Sequence, residues 1–145
     1  HYVGNERAPL ADASPRQPLP PRLGFAEVDA IVGALADHPK RAWIVHRYFR
    51  DMAAILGECS RVIRPGGRVI LVVCPSNIRK VAIPTHELFA AIAERLPCPA
   101  GRLAIESLFE RTIHDRRRLM PYLEATFGPR MRSEDVLVLR RKGTG

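Results

Sequence analysis

The residues best suited to chemistry in this sequence are clustered cations. Arg116, Arg117 and Arg118 run together, and Arg130 and Arg132 follow before residue 133, offset only by Asp115 and Glu124. A guanidinium presents a planar fork of donors that fits a phosphate, so this cluster is a candidate clamp on a nucleic-acid backbone. Tyr122 lies inside it and is a candidate for stacking on a base. Arg79 and Lys80 form a second candidate for phosphate contact. A solvated charged loop is the alternative at both places.

Other reactive groups are sparse. Cys59, Cys74 and Cys98 make no CxxC pair, and Cys59 and Cys74 sit among apolar neighbours, as small core residues do. A reducing, cytoplasmic setting is the simplest expectation. The histidines are scattered at 1, 38, 46, 86 and 114, with no ligand spacing, so no metal is expected. His86-Glu87 opens like HExxH, but position 90 is Ala. The pair reads more simply as the start of a helix, with a carboxylate near the positive end of its dipole.

The 145 residues allow one domain of ordinary size, and 46% apolar content is enough for a packed core. The net charge of +8 is uneven. Residues 1–40 sum to −1 and residues 41–145 to +9, a bias that fits an anionic partner. No apolar run is long enough to span a membrane, so no membrane partner is expected. The chain begins with His1, and a cut end is expected there.

These residues need elements to hold them. Five prolines in residues 1–24 predict an extended segment. Phe25, Val28, Ile31, Val32 and Leu35 have helical spacing. A second helix is predicted from about Arg41 to Arg64, with Val45, Tyr48, Phe49, Met52, Ile55, Leu56, Cys59, Val62 and Ile63 in its apolar stripe. Pro65-Gly66-Gly67 stops it. Arg68 to Cys74 is an aliphatic run that predicts a strand buried on both faces, as in a parallel sheet. A loop is expected up to Pro84, then a helix capped by Thr85 over His86–Leu96. Residues 102–113 and 134–140 read as two strands joined without a helix, and hence antiparallel neighbours.

Glu58 to Val73, with Arg64-Pro65-Gly66-Gly67 at its centre, resembles the helix-to-strand passage of class I S-adenosylmethionine-dependent methyltransferases. Ser76-Asn77-Ile78-Arg79-Lys80-Val81-Ala82-Ile83-Pro84-Thr85-His86-Glu87 is similar to the "GNSxIRGxxIPxHE" phrase of bacterial DNA methyltransferases that modify exocyclic amines. Tyr48-Phe49-Arg50-Asp51-Met52 resembles that family's "YFxDM". Arg130 to Arg140 resembles its closing "RIREEYVLVLRK". The resemblance spans roughly Arg41 to Lys142. It departs at Cys74-Pro75-Ser76, where the family has Gly-Asn-Ser, and at Lys80, where it often has Gly.

The resemblance implies an α/β fold: the C-terminal half of a Rossmann-like methyltransferase, with a parallel sheet, an antiparallel last strand and helices on both faces. The expected division is a Pro-rich segment at 1–24, a partial methyltransferase-like domain at 25–142 and a tail at 143–145. It implies S-adenosylmethionine as cofactor, DNA as partner, and cytosine N4 or adenine N6 as target. The family's Gly-rich cofactor loop and its Ser/Asp/Asn-Pro-Pro-Tyr catalytic tetrapeptide have no counterpart here, so no catalytic residue is expected and the cofactor pocket is incomplete. A missing N-terminal half, or a second copy, is the expected further partner. The alternative is a non-enzymatic, nucleic-acid-binding remnant with half the fold. A methyltransferase for RNA or a small molecule is a third reading.

Overall fold

The computed structural model describes residues 18–96, 102–113 and 133–143. Its elements, in order, are α1 (Ala26–Ala34), α2 (Pro39–Val62), β1 (Arg68–Val73), β2 (Ser76–Ile78), β3 (Val81–Ile83), α3 (Thr85–Arg95), β4 (Leu103–Thr112) and β5 (Ser133–Arg141). Pro39 opens α2 at its first turn, where the N–H it lacks would have had no partner within the helix.

The exit from α2 follows from its turn residues. The Gly67 amide donates to the Arg64 carbonyl at 2.9 Å, with Pro65 and Gly66 between them. Gly66 has φ +80, which a side chain would strain. A Cβ on Gly67 would lie 2.3 Å from Ile63 Cγ2, so the reversal also needs the second glycine. The turn is then tied to β5. Gly66 N–H donates to the Arg141 carbonyl and Arg141 N–H to the Gly67 carbonyl, both at 2.9 Å. The Arg141 guanidinium donates to the Ile63 carbonyl.

Among the described residues two antiparallel sheets result, one of three strands in the order β1-β5-β4 and a hairpin of β2 and β3. The expected antiparallel pairing of the two late strands is present, from Leu103 opposite Arg141 to Thr112 opposite Ser133, with a bulge between Ile105 and Ser107. The expected parallel sheet is not what the described residues form. β1 pairs antiparallel with β5, Ile70 opposite Val138 and Val72 opposite Val136. A parallel neighbour needs a crossover connection from another strand, and α2 is preceded by α1 rather than by a strand. The expected loop before Pro84 is the β2–β3 hairpin. The expected Thr85 cap is not made: Thr85 Oγ1 donates instead to the Ile83 carbonyl at 3.3 Å.

The core lies on one face of the sheet. Val69, Leu103, Leu137 and Leu139 pack there with Phe49 and Leu56 of α2 and with Leu88, Phe89 and Ile92 of α3. The other face is not covered as the sequence predicts. Ile70 and Val72 are 62% and 52% exposed, so β1 is buried on one face and not on both. Phe109, opposite Val136, is 56% exposed on that same outer face. Ion pairs border this patch: Arg68 and Arg140 meet Glu106, and Arg111 meets Glu134.

Residues 18–24 cross α2. The Trp43 indole donates to the Pro18 carbonyl at 2.8 Å, and the Leu23 and Gly24 amides donate to Asp29. Beneath them His46 is 4% exposed, edge-on to Trp43 at 5.6 Å, with no hydrogen bond to either ring nitrogen. Burial, then the Arg50 charge, holds its pKa below the usual 6.5, against weaker pulls from Asp29, the Pro21 carbonyl and Asp51. The folded chain therefore binds fewer protons here than the unfolded chain. The stability this group contributes is full above the usual histidine value and is lost as the pH falls below it. Urea midpoints should fall between pH 7.5 and 5.5, and His46→Phe should flatten that fall. An equal fall in the variant would assign the dependence elsewhere.

Candidate functional site

The C-terminal end of β1 opens onto a cavity of about 360 Å³. Its walls follow from the order of elements. α2 contributes Ile44, Tyr48 and Phe49, the end of β1 contributes Val72, and Cys74 follows just after it. The hairpin adds Ser76, Ile78 and Ile83, and the first residue of α3 adds Thr85. Among the described residues the lining is mostly apolar and carries no acidic side chain. Phe49 is edge-on to Phe89 at 5.6 Å, which anchors one wall in the core. Burial raises the Tyr48 phenol above its usual pKa.

Arg79 and Lys80 sit at the tip of the β2–β3 hairpin. Ile78 pairs with Val81, so these two residues are the whole loop. Both have positive φ, 53 and 69. This is the backbone of a type I′ turn, usually filled by Asn-Gly because a side chain is strained there. The hairpin holds two exposed cations on a short, defined support beside the cavity.

On the other side, His86 Nδ1 lies 2.7 Å from Asp135 Oδ2, in ion-pair range but outside hydrogen-bond geometry. The contact ties the start of α3 to β5. The Cys74 thiol is pushed up by burial and then by the Glu134 and Asp135 carboxylates, the opposite of what a nucleophilic thiolate needs. Among the described residues no three His, Cys, Asp or Glu side chains gather where they could hold a metal ion. No helix among them is long and apolar enough to cross a membrane.

Of the sequence-derived site residues, the structure places Arg79 and Lys80 together at one turn. Arg116, Arg117, Arg118, Tyr122, Arg130 and Arg132 lie outside the described residues. Sequence reasoning missed the hairpin, although Ile78 and Val81 flanking a two-residue gap was its signal. It missed the cavity too, because the walls come from five separate elements.

No family model matches this chain, and no curated protein does. Among solved structures, the chain is similar to a crystal structure from Thermus thermophilus, of a protein whose assignment as a DNA modification methylase is itself provisional. The TM-score is 0.50 at 17% identity, over 68% of this chain and 38% of that one. This chain therefore matches well under half the length of that protein, and what the two share over the matched part is a fold.

Proposed function

We propose that this chain is the distal part of a DNA methyltransferase that transfers a methyl group from S-adenosylmethionine to an exocyclic base amine. The observation that carries the reading is the pairing of an apolar, aromatic-walled cavity with a cationic hairpin tip beside it. Enzymes that modify a base extrude it from the duplex, bury it between apolar side chains and hold the flanking backbone. In this reading Ile44, Tyr48 and Val72 receive the base, and Arg79 and Lys80 hold neighbouring phosphates. Arg116, Arg117, Arg118, Arg130 and Arg132 would extend the backbone contact, with Tyr122 stacking. The likeness in fold to a protein assigned as a DNA modification methylase supports the reading.

The described residues do not fit the cofactor. Those that line the cavity include no carboxylate for ribose hydroxyls and no glycine turn to admit a backbone. In this reading the cofactor site, the parallel strands and the catalytic tetrapeptide belong to sequence outside this chain. The test uses the chain as it is, by fluorescence anisotropy on two duplexes that differ only in one unpaired base. Lower unstacking cost should make the duplex with the unpaired base bind about tenfold tighter. Equal affinity for both duplexes overturns the base-pocket reading and leaves a backbone binder.

A further inference from the structure

We propose that residues 18–24 are a proton-gated strap, closed over α2 while the His46 imidazole is neutral and released when His46 takes a proton. The strap is pinned near both ends, by the Trp43 indole at the Pro18 carbonyl and by the Leu23 and Gly24 amides at Asp29 of α1. Between these ties it forms no helix or strand. Pro18, Pro20 and Pro21 have no amide hydrogen to donate, so little backbone bonding is available to hold the middle. Pro20 is buried, and Leu23 packs against the core.

His46 is the weak point beneath the strap. A neutral imidazole carries one donor and one acceptor, and both ring nitrogens are shut away from water without a hydrogen bond. Unmet groups of this kind cost free energy that contact with water returns. The charged groups that face the ring do not hold a proton there. Arg50 on the same helix repels it, while Asp29 of α1 and Asp51 of α2 each attract it more weakly. The Pro21 carbonyl faces the ring from the strap, outside hydrogen-bond geometry. Any state that wets the ring therefore gains its hydrogen bonds and, below the usual histidine value, a proton. Unfolding the whole chain reaches such a state by giving up the core. Lifting seven residues reaches one by giving up their ties and the burial of Pro20 and Leu23, with Phe49, Leu56 and the sheet still packed. The second route is the cheaper. The closed strap is thus at full strength above the usual histidine value and weakens as the pH falls below it. Opening bares Trp43 and the face of α2 under the strap. Neither His46 nor the strap is among the residues that line the cavity, so this inference stands apart from the methyltransferase reading.

Amide exchange followed by NMR on the whole chain, corrected for the intrinsic effect of pH, tests the proposal. Opening takes up one proton, so between pH 7.5 and 5.5 protection at Leu23 and Gly24 should fall by up to about tenfold per pH unit. Amides of β5, the central strand, should stay far better protected throughout. His46→Phe should hold protection at Leu23 and Gly24 constant over the same range. Trp43→Phe removes the tie at Pro18. It should lower protection at Leu23 and Gly24 already at pH 7.5 and bring the His46 titration nearer its usual value. Protection at Leu23 and Gly24 that ignores pH overturns the proposal. So do strap amides as well protected as β5 at every pH, because the chain then opens only as a whole. Where His46→Phe does not fold, Trp43→Phe decides, and an unmoved His46 titration in it overturns the proposal.

Discussion

Replacing Arg79-Lys80 with Asn-Gly should make the chain more stable and its DNA binding weaker at once. Both residues occupy left-handed backbone, which costs a side chain roughly 1–2 kcal/mol relative to glycine. Asn tolerates that region and Gly has no penalty there, so the swap should raise the unfolding free energy by about 1–2 kcal/mol. The same swap removes two cations. If both touch phosphates, the slope of log affinity against log salt should shrink by up to about 1.8, near 0.9 for each phosphate no longer neutralised. Arg79→Ala with Lys80→Ala is the companion variant. It should flatten the salt dependence as much and leave the strain largely in place. Urea denaturation and anisotropy at several salt concentrations read both quantities. An unchanged salt slope in both variants would mean that the hairpin tip does not meet DNA.

Phe49→Ala should cost about 3–5 kcal/mol, measured as a shift in urea midpoint. Phe49 is 1% exposed and Phe89 is fully buried. The two rings meet at an interplanar angle of 63°, and Tyr48 lies 5.1 Å from the first and 6.0 Å from the second. This aromatic group joins α2 to α3. A double-mutant cycle with Phe89→Ala should return a coupling of about 0.5–1.5 kcal/mol from edge-to-face contact. Against a typical total of about 5–15 kcal/mol, either single change takes a large part of the stability. Because Phe49 also lines the cavity, the variant should lose selectivity for an unpaired base even at temperatures where it remains folded. A cost below about 1 kcal/mol would show that α2 and α3 are held together elsewhere.

The helices were legible because their apolar spacing and their stops agree. Pro39 and Pro65-Gly66-Gly67 bound α2 within two residues of the predicted limits. β1, β4 and β5 were legible from aliphatic runs and alternation. The neighbours of β1 were not. A continuous run such as Val69 to Val73 fits burial on two faces, and nothing within it reveals that Ile70 and Val72 face outward. That depends on what covers the outer face, which is a tertiary fact. The hairpin was hidden because its turn uses Arg-Lys where the turn type favours Asn-Gly. At the candidate site, Arg79 and Lys80 could be read as cations but not as one turn. The His86–Asp135 contact spans 49 positions of sequence and left no local trace.

The strand order β1-β5-β4 also sets a schedule. β1 and β4 do not touch each other in the sheet, and both depend on β5 between them. β5 begins at Ser133, 60 residues after the end of β1. During synthesis the chain can form its helices and the short hairpin early, because their contacts are local. The three-stranded sheet cannot begin until residues 133–141 have left the ribosome. Until then β1 and β4 wait without partners, which is when edge pairing between nascent chains is most hazardous. A stalled chain ending before Ser133 should therefore keep helical structure, lack the central sheet and be the species that chaperones bind.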